Sequence, residues 1–560
     1  MSMSLVRGDH LLEGFAADDT PILHRDAAAL IADGTVVEIG DAAALHARHP
    51  RAERLGGPGH VVMPGLVNSH HHVGFTPLQL GSPDHPLELW FASRLGLRDV
   101  DLRLDTLFSA FEMIASGVTT VQHLHSRAPG GIEDVLSAAR HVIGAYREIG
   151  MRASYSMALR DQNRLVYEDD AAFVARLPVE LRPEMTAYFA RFTLPLADQV
   201  RILETLRDEL AGETRLRLQI APANLHWLSD AALATAAELS ARTNLPMHMH
   251  LLETPYQKAY ATKRTGGSAL AHVHRFGLTG PLLTIGHGTW MSEADIELCA
   301  TTGTHVCHNC SSNFRLKSGL APVNRFLARG IRVALGMDEA GINDDRDMLQ
   351  EMRLALRAHR EPGIDAPHPS PATILRMATE HGAATTPFGA QIGRLAPGSA
   401  ADLVMLDWRD VTYPYQNADI PLVDVLVQRA RSSAVKSVMV GGEIIYRDGR
   451  FTRIDRDAIL AEIHARFAAA PSAAEARREV TELAPDIHRI ILRYGFQESP
   501  HVPRELESLR ELGIPFEPMQ TSYFLGRETV VAAAVPKMSR WRQWIFTLLS
   551  RNSVSATEFF

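Results

Sequence analysis

Lysine is scarce in this chain: only five residues, the first of them Lys258, among 57 basic ones. That bias reads as a high-GC genome rather than a functional demand, and it leaves everything before Lys258 without a side-chain amine. Cysteine is scarcer still, with Cys299, Cys307 and Cys310 alone. Three thiols cannot build a disulfide framework, which fits a reducing cytosol, and a cytoplasmic protein is expected. No apolar run reaches the roughly 18 residues of a membrane span, so no membrane insertion is expected. The start, Met1-Ser2-Met3-Ser4-Leu5, lacks the basic and apolar regions of a signal peptide. A net charge of −8 without a basic stripe excludes a nucleic-acid footprint. What is present is bulk: 560 residues, 46% of them hydrophobic, are enough for several domains and a large core.

Against that background one stretch is informative: Val61-Val62-Met63-Pro64-Gly65-Leu66-Val67-Asn68-Ser69-His70-His71-His72. It reads as a β-branched strand, interrupted by Pro-Gly, that runs into a histidine cluster. Side chains alternate along a strand, so His70 and His72 share one face and His71 takes the other. Two neutral imidazoles side by side at a strand end make half of a site for zinc or iron. A surface histidine run or a tag remnant fits less well, because the cluster is internal and follows an apolar strand. Further strand-like runs end in possible ligands: Leu245-Pro246-Met247-His248-Met249-His250, Leu282-Leu283-Thr284-Ile285-Gly286-His287 and Ile331-Arg332-Val333-Ala334-Leu335-Gly336-Met337-Asp338.

The Pro-Gly-x-x-Asn-x-His-x-His pattern resembles the first metal motif of the amidohydrolase superfamily. Within it, the chain looks most like the branch of heterocycle aminohydrolases and triazine hydrolases, over roughly residues 20 to 455. The resemblance implies an α/β fold: a (β/α)8 TIM barrel flanked by a small β-sandwich. It makes His250 the third metal ligand, Glu253 the catalytic acid, His287 the strand-six histidine and Asp338 the last ligand. His308-Asn309-Cys310-Ser311-Ser312-Asn313, followed by Leu316 and Ser318-Gly319, resembles a further signature of the family. Each match alone is weak; their order, each at the end of a strand-like run, makes the set specific.

The chemistry expected of that set can be stated physically. A parallel barrel gathers residues distant in sequence at the C-terminal ends of its strands. His70, His72, His250 and Asp338 would give three nitrogens and one oxygen and leave a position for water. A divalent ion lowers the pKa of such a water to about 7. Asp338 and His287 would take its proton, and Glu253 would protonate a ring nitrogen and then the leaving amine. Binuclear members of the superfamily bridge two ions with a carbamylated lysine or a glutamate at the end of strand four. The expected strand four, Arg215 to Ala221, ends in Gln219-Ile220-Ala221-Pro222, and no lysine precedes Lys258. One divalent ion, zinc or iron(II), is therefore expected.

Other residues admit two readings. His248 shares a face with His250 and would serve as a hydrogen-bond partner behind the metal rather than as a ligand, since the family does not use this position. His123 and His125 share a face at the end of the second strand, where His125 could line the substrate pocket or be structural. Trp90 could flank a planar ligand or pack in the core. Cys307-His308-Asn309-Cys310 has CxxC spacing, but no second CxxC accompanies it, and a structural role is expected.

The layout follows. Residues 1–62 would form the first half of the β-sandwich, 63–392 the barrel, 393–455 the second half, and 456–486 a helical extension. Helices are expected over Asp101 to Ser116, Ser229 to Thr243, and Pro371 to Gly382, the last begun by proline and stopped by glycine. From about Ile487, Arg493-Tyr494-Gly495-Phe496, Thr521-Ser522-Tyr523-Phe524-Leu525-Gly526-Arg527 and the closing Asn552 to Phe560 resemble the cytosolic tail of KUP-type potassium transporters. That tail, residues 487–560, would be a fusion appended to the enzyme; without the transporter's membrane segments it cannot conduct ions.

The expected activity is hydrolytic deamination of a small planar N-heterocycle, a carbon–nitrogen bond other than a peptide bond. Two alternatives stand beside it: loss of chloride or an alkylamine from a triazine-like ring, and a non-catalytic protein whose tail carries a regulatory role. The intact ligand set favours an enzyme, and Glu253 favours a nitrogen leaving group. Purines, pyrimidines, pterins and triazines all fit. The expected partners are that substrate and water, with room for a homo-oligomer.

Overall fold

The computed structural model describes residues 3–469 apart from 74–83, 85, 95–99, 127 and 166. The tail expected from Ile487, and the helical extension beyond residue 469, lie outside the described residues.

The strand His60–Pro64 joins the two ends of the enzyme region. It runs parallel to Met3–Phe15, pairing Val61 with His10, and antiparallel to Leu403–Asp407, pairing Pro64 with Leu403. The two expected half-sandwiches thereby become one nine-stranded hydrogen-bonded sheet, from Arg450–Phe451 at one edge to Thr35–Asp41 at the other. Alternation along His60–Pro64 divides its side chains between two cores. Val61 and Met63 pack into the core shared with the barrel, whereas Val62 joins Val6, Leu11, Leu403 and Met439 in the core of the sheet.

Eight barrel positions follow in chain order: Leu66–His71, Val118–His125, Arg152–Leu159, the pair Leu216–Leu218 and Ala221–Pro222, Met247–Leu251, Leu283–His287, His305–His308 and Val333–Leu335. All paired neighbours are parallel. The fourth position is split because its backbone changes partners. Gln219 donates to Tyr155 on strand three, and the next residue, Ile220, donates to Pro246 beside strand five. The ring closes where Asp338 N–H donates to the His70 carbonyl at 2.9 Å. Val118–His125 is buried at every residue, as a strand inside a helix-wrapped parallel barrel must be.

Two of the expected helices form, over Leu102–Ala115 and Asp230–Thr243. Asp101 accepts from Leu104 N–H to start Leu102–Ala115, and Ser229 accepts from Ala232 N–H to start Asp230–Thr243. The helix expected over Pro371 to Gly382 is instead two, Pro371–Met377 and Glu380–Ala384, broken at Thr379. Gly382 does not stop a helix; it lets the second one approach barrel strand one, since a Cβ there would lie 2.9 Å from Val67 Cβ. Arg152 on barrel strand three is buried against Asp402 of the sheet region at 2.6 Å, which locks the two together. Among the described residues, no helix is long and apolar enough to cross a membrane.

Candidate metal centre and active-site pocket

The barrel's C-terminal rim brings His70, His72, His250, His287 and Asp338 into one cluster. His72 Nε2 lies 3.2 Å from His70 Nε2 and 3.1 Å from His250 Nε2, with Asp338 Oδ1 at 3.4 Å from His72 and 3.6 Å from His70. These spacings are close to the edge, about 3.4 Å, of a tetrahedron of metal bonds about 2.1 Å long. His71 points the other way, with Nδ1 donating to the Asp338 carbonyl.

Protonation is dictated from behind. His72 Nδ1 donates to the Leu124 carbonyl and His250 Nδ1 to the Ala223 carbonyl. Carbonyls only accept, so each Nδ1 carries the proton and each Nε2 keeps a lone pair. Burial first, then the neighbouring imidazoles, pushes His70 and His250 well below the ordinary imidazole pKa, so both are neutral at pH 7. Bare nitrogens converging at such distances repel one another unless a cation lies between them. The donor set thus fits a divalent ion: neutral imidazoles and one carboxylate.

The family-like signature at 308–313 holds Asp338 and His287 in place. Ser312 Oγ donates to Asp338 Oδ2 at 2.6 Å. His287 Nδ1 donates to Asn313 Oδ1 at 2.9 Å, and Asn309 Nδ2 lies 3.3 Å from His287 Nε2. His287 Nε2 stands 3.8 Å from both Glu253 Oε2 and Asp338 Oδ2, between the two carboxyls. Backbone strain accompanies this arrangement: His287 and Asp338 both hold left-handed φ, +70° and +55°. Glu253 is buried and accepts from Ser318 Oγ at 3.3 Å; its burial pushes the carboxyl up to about 7.

The cavity above the cluster is lined by His72, His250, Glu253, His287 and Asp338 together with aromatic rings. Trp90 and Phe91 come from the helix Leu87–Arg94, and Trp227 from the turn Leu225–Trp227 after strand four. The Arg160 guanidinium lies over the Trp227 ring at 3.7 Å. His125 is absent from this lining; its Nδ1 is hydrogen-bonded to the Tyr155 hydroxyl. Arg160, Trp227 and Glu339, which also line the cavity, belong to none of the sequence motifs. Arg160 directly follows the strand Arg152–Leu159, and Glu339 follows Asp338, positions that mark them as rim residues. The motifs assign no role to Ser312, Asn313 or Ser318.

A second buried group, His308, Cys310 and His359, lies apart from this cavity. Its two imidazoles share a 2.8 Å hydrogen bond through their Nε2 atoms. Burial pushes the Cys307 and Cys310 thiols up, which keeps them protonated at neutral pH.

The chain is similar to known proteins in sequence and in fold. Residues 61–445 match the amidohydrolase family, and residues 456–560 match the K+ potassium transporter C-terminal domain. A 5-methylthioadenosine/S-adenosylhomocysteine deaminase of Nitratidesulfovibrio vulgaris is 31% identical over 78% of this chain and 91% of its own. An 8-oxoguanine deaminase of Pseudomonas aeruginosa is 31% identical over 79% of this chain and 94% of its own. The crystal structure of an atrazine chlorohydrolase from Arthrobacter aurescens, complexed with zinc, superposes with a TM-score of 0.70 at 21% identity, covering 82% of this chain and 99% of that one. The chain belongs to the amidohydrolase family, as a metal-dependent hydrolase of carbon–nitrogen bonds with a potassium-transporter C-terminal domain appended.

Proposed function

We propose that this protein uses one zinc or iron(II) ion, held by His70, His72, His250 and Asp338, to hydrolyse an aminated planar N-heterocycle, an aminopurine, to its oxo form and ammonia. The observation that carries the reading is the placement of Glu253. It is a buried carboxyl with a pKa near 7, facing the same cavity as the converging imidazoles.

When bound, the ion acidifies a water and so supplies the nucleophile at neutral pH. The chain's own groups do the rest. Glu253, protonated in a large fraction at neutral pH, donates to a ring nitrogen and makes the amino-bearing carbon electrophilic. His287, held on Asn313, and Asp338, held on Ser312, accept the water's proton. Glu253, left as a carboxylate, takes the proton of the added hydroxyl and passes it to the leaving amine. The proton taken up by Asp338 and His287 passes by way of His287, 3.8 Å from both carboxyls, to restore the Glu253 carboxyl; water in and ammonia out then balance. Trp90, Phe91 and Trp227 supply flat apolar walls for a heterocycle and keep bulk water out. The two curated relatives, named for purine-type substrates, support an aminopurine over other rings. No glutamate or lysine is present at the end of strand four, which supports a single ion.

Ammonia release from a panel of adenine-, guanine- and pterin-type compounds and aminotriazines tests this. Turnover of an aminopurine is expected. Release of chloride or an alkylamine from triazines, with none of ammonia from purines, would replace the reading with the alternative.

A further inference from the structure

Two of the three histidine ligands rest on backbone carbonyls, which can only accept. His70 does not. Its Nδ1 is 2.8 Å from His248 Nε2, a ring nitrogen able either to donate or to accept. His70 is therefore the one ligand whose tautomer its immediate partner leaves open. Behind it, His248 Nδ1 contacts the side-chain amide of Gln122. All three side chains are buried, and they come from barrel strands one, five and two. Gly286 on strand six makes room for the pair: a Cβ there would lie 3.0 Å from His70 Cε1 and 3.1 Å from His248 Nε2.

We infer that Gln122 and His248 form a proton-ordering relay that sets His70 in the tautomer able to bind the ion. The inference rests on the metal reading above. For His70 Nε2 to offer a lone pair, its Nδ1 must carry the proton and donate to His248 Nε2. His248, neutral, must then carry its own proton on Nδ1, and that proton needs an acceptor. Gln122 Oε1 is the acceptor within reach. In the structure the amide turns Nε2 toward His248 and leaves Oε1 buried without a hydrogen bond. Turning the amide over gives Oε1 the His248 proton and orders the whole chain: His70 Nδ1–H to His248 Nε2, His248 Nδ1–H to Gln122 Oε1. The opposite order would put a proton on His70 Nε2 and block the ligand. Gln122 and His248 are positioning residues, acting through His70 rather than on substrate.

Zinc affinity of the full chain, measured by competition with a chromophoric chelator, tests the relay without reference to activity. His248→Leu removes the acceptor for His70 Nδ1–H and is expected to weaken zinc binding about 10- to 100-fold. His248→Gln places an amide oxygen at comparable reach and should hold affinity within about threefold of wild type. Gln122→Leu should weaken binding as His248→Leu does, and it carries the test if the His248 variant does not fold. A purely packing role would make the leucine and glutamine variants at 248 equally weak. Leucine variants with wild-type affinity, or a glutamine variant as weak as the leucine one, would overturn the relay. Wild-type protein with no affinity for zinc or iron(II) would instead overturn the metal reading beneath it.

Discussion

Glu253→Gln separates the two consequences of burying a carboxyl beside a metal site. In wild type, burial raises this carboxyl from its ordinary 4.5 to about 7. At about 1.4 kcal/mol per tenfold change in acidity, ionising it in the folded state costs about 3 kcal/mol. The folded-state pKa is raised, so this cost is absent below pH 4.5, develops between 4.5 and about 7, and is complete above 7. Glutamine keeps the size and the oxygen that accepts from Ser318 but carries no charge at any of these pH values. Urea unfolding of metal-depleted wild type and variant should therefore coincide near pH 4.5 and diverge toward pH 8, the variant gaining up to about 3 kcal/mol. In the loaded enzyme the same change should leave metal content intact and lower turnover by about 100-fold or more, because an amide cannot shuttle protons. A stability difference independent of pH would refute the burial argument, and unchanged turnover would remove Glu253 from the mechanism.

Asn313→Ala frees His287 Nδ1 and should cut turnover by about tenfold or more at unchanged metal content, read by steady-state kinetics beside metal analysis. Asp402→Ala leaves Arg152 buried without its partner and should cost about 3–5 kcal/mol in chemical denaturation while sparing the metal site. Deleting residues 490–560 should leave metal content and turnover largely intact, because every group of the cluster lies between His70 and Asp338. A truncated protein that keeps its metal and loses turnover would show the tail recruited to the active site.

Much of this site was legible because the clustered side chains sit at strand ends, where apolar runs stop abruptly at a polar residue. His70, His250, His287 and Asp338 each stand at such a stop, and the two-residue period put His70 and His72 on one face. The period could not show what holds each ring from behind, since those partners are backbone carbonyls of Leu124 and Ala223, or side chains such as Asn313, from other strands and loops. Nor does sequence spacing reveal close approach. Gly382 resembled a helix stop, whereas its missing Cβ makes room for Val67 and Ser69. The pairing of His60–Pro64 with Leu403–Asp407, which makes one sheet of two halves, depends on contacts more than 300 residues apart. His125 shares the strand-end position of the clustered histidines, yet its Nδ1 bonds the Tyr155 hydroxyl, a choice that strand periodicity leaves open.

In the proposed centre, imidazole nitrogens without protons converge on one cation. Metal analysis of purified wild type beside His72→Ala and Asp338→Asn tests it most directly. About one zinc or iron per wild-type chain is expected, with loss of that ion in both variants. Metal retained in both variants, or two tightly held ions per wild-type chain, would contradict it.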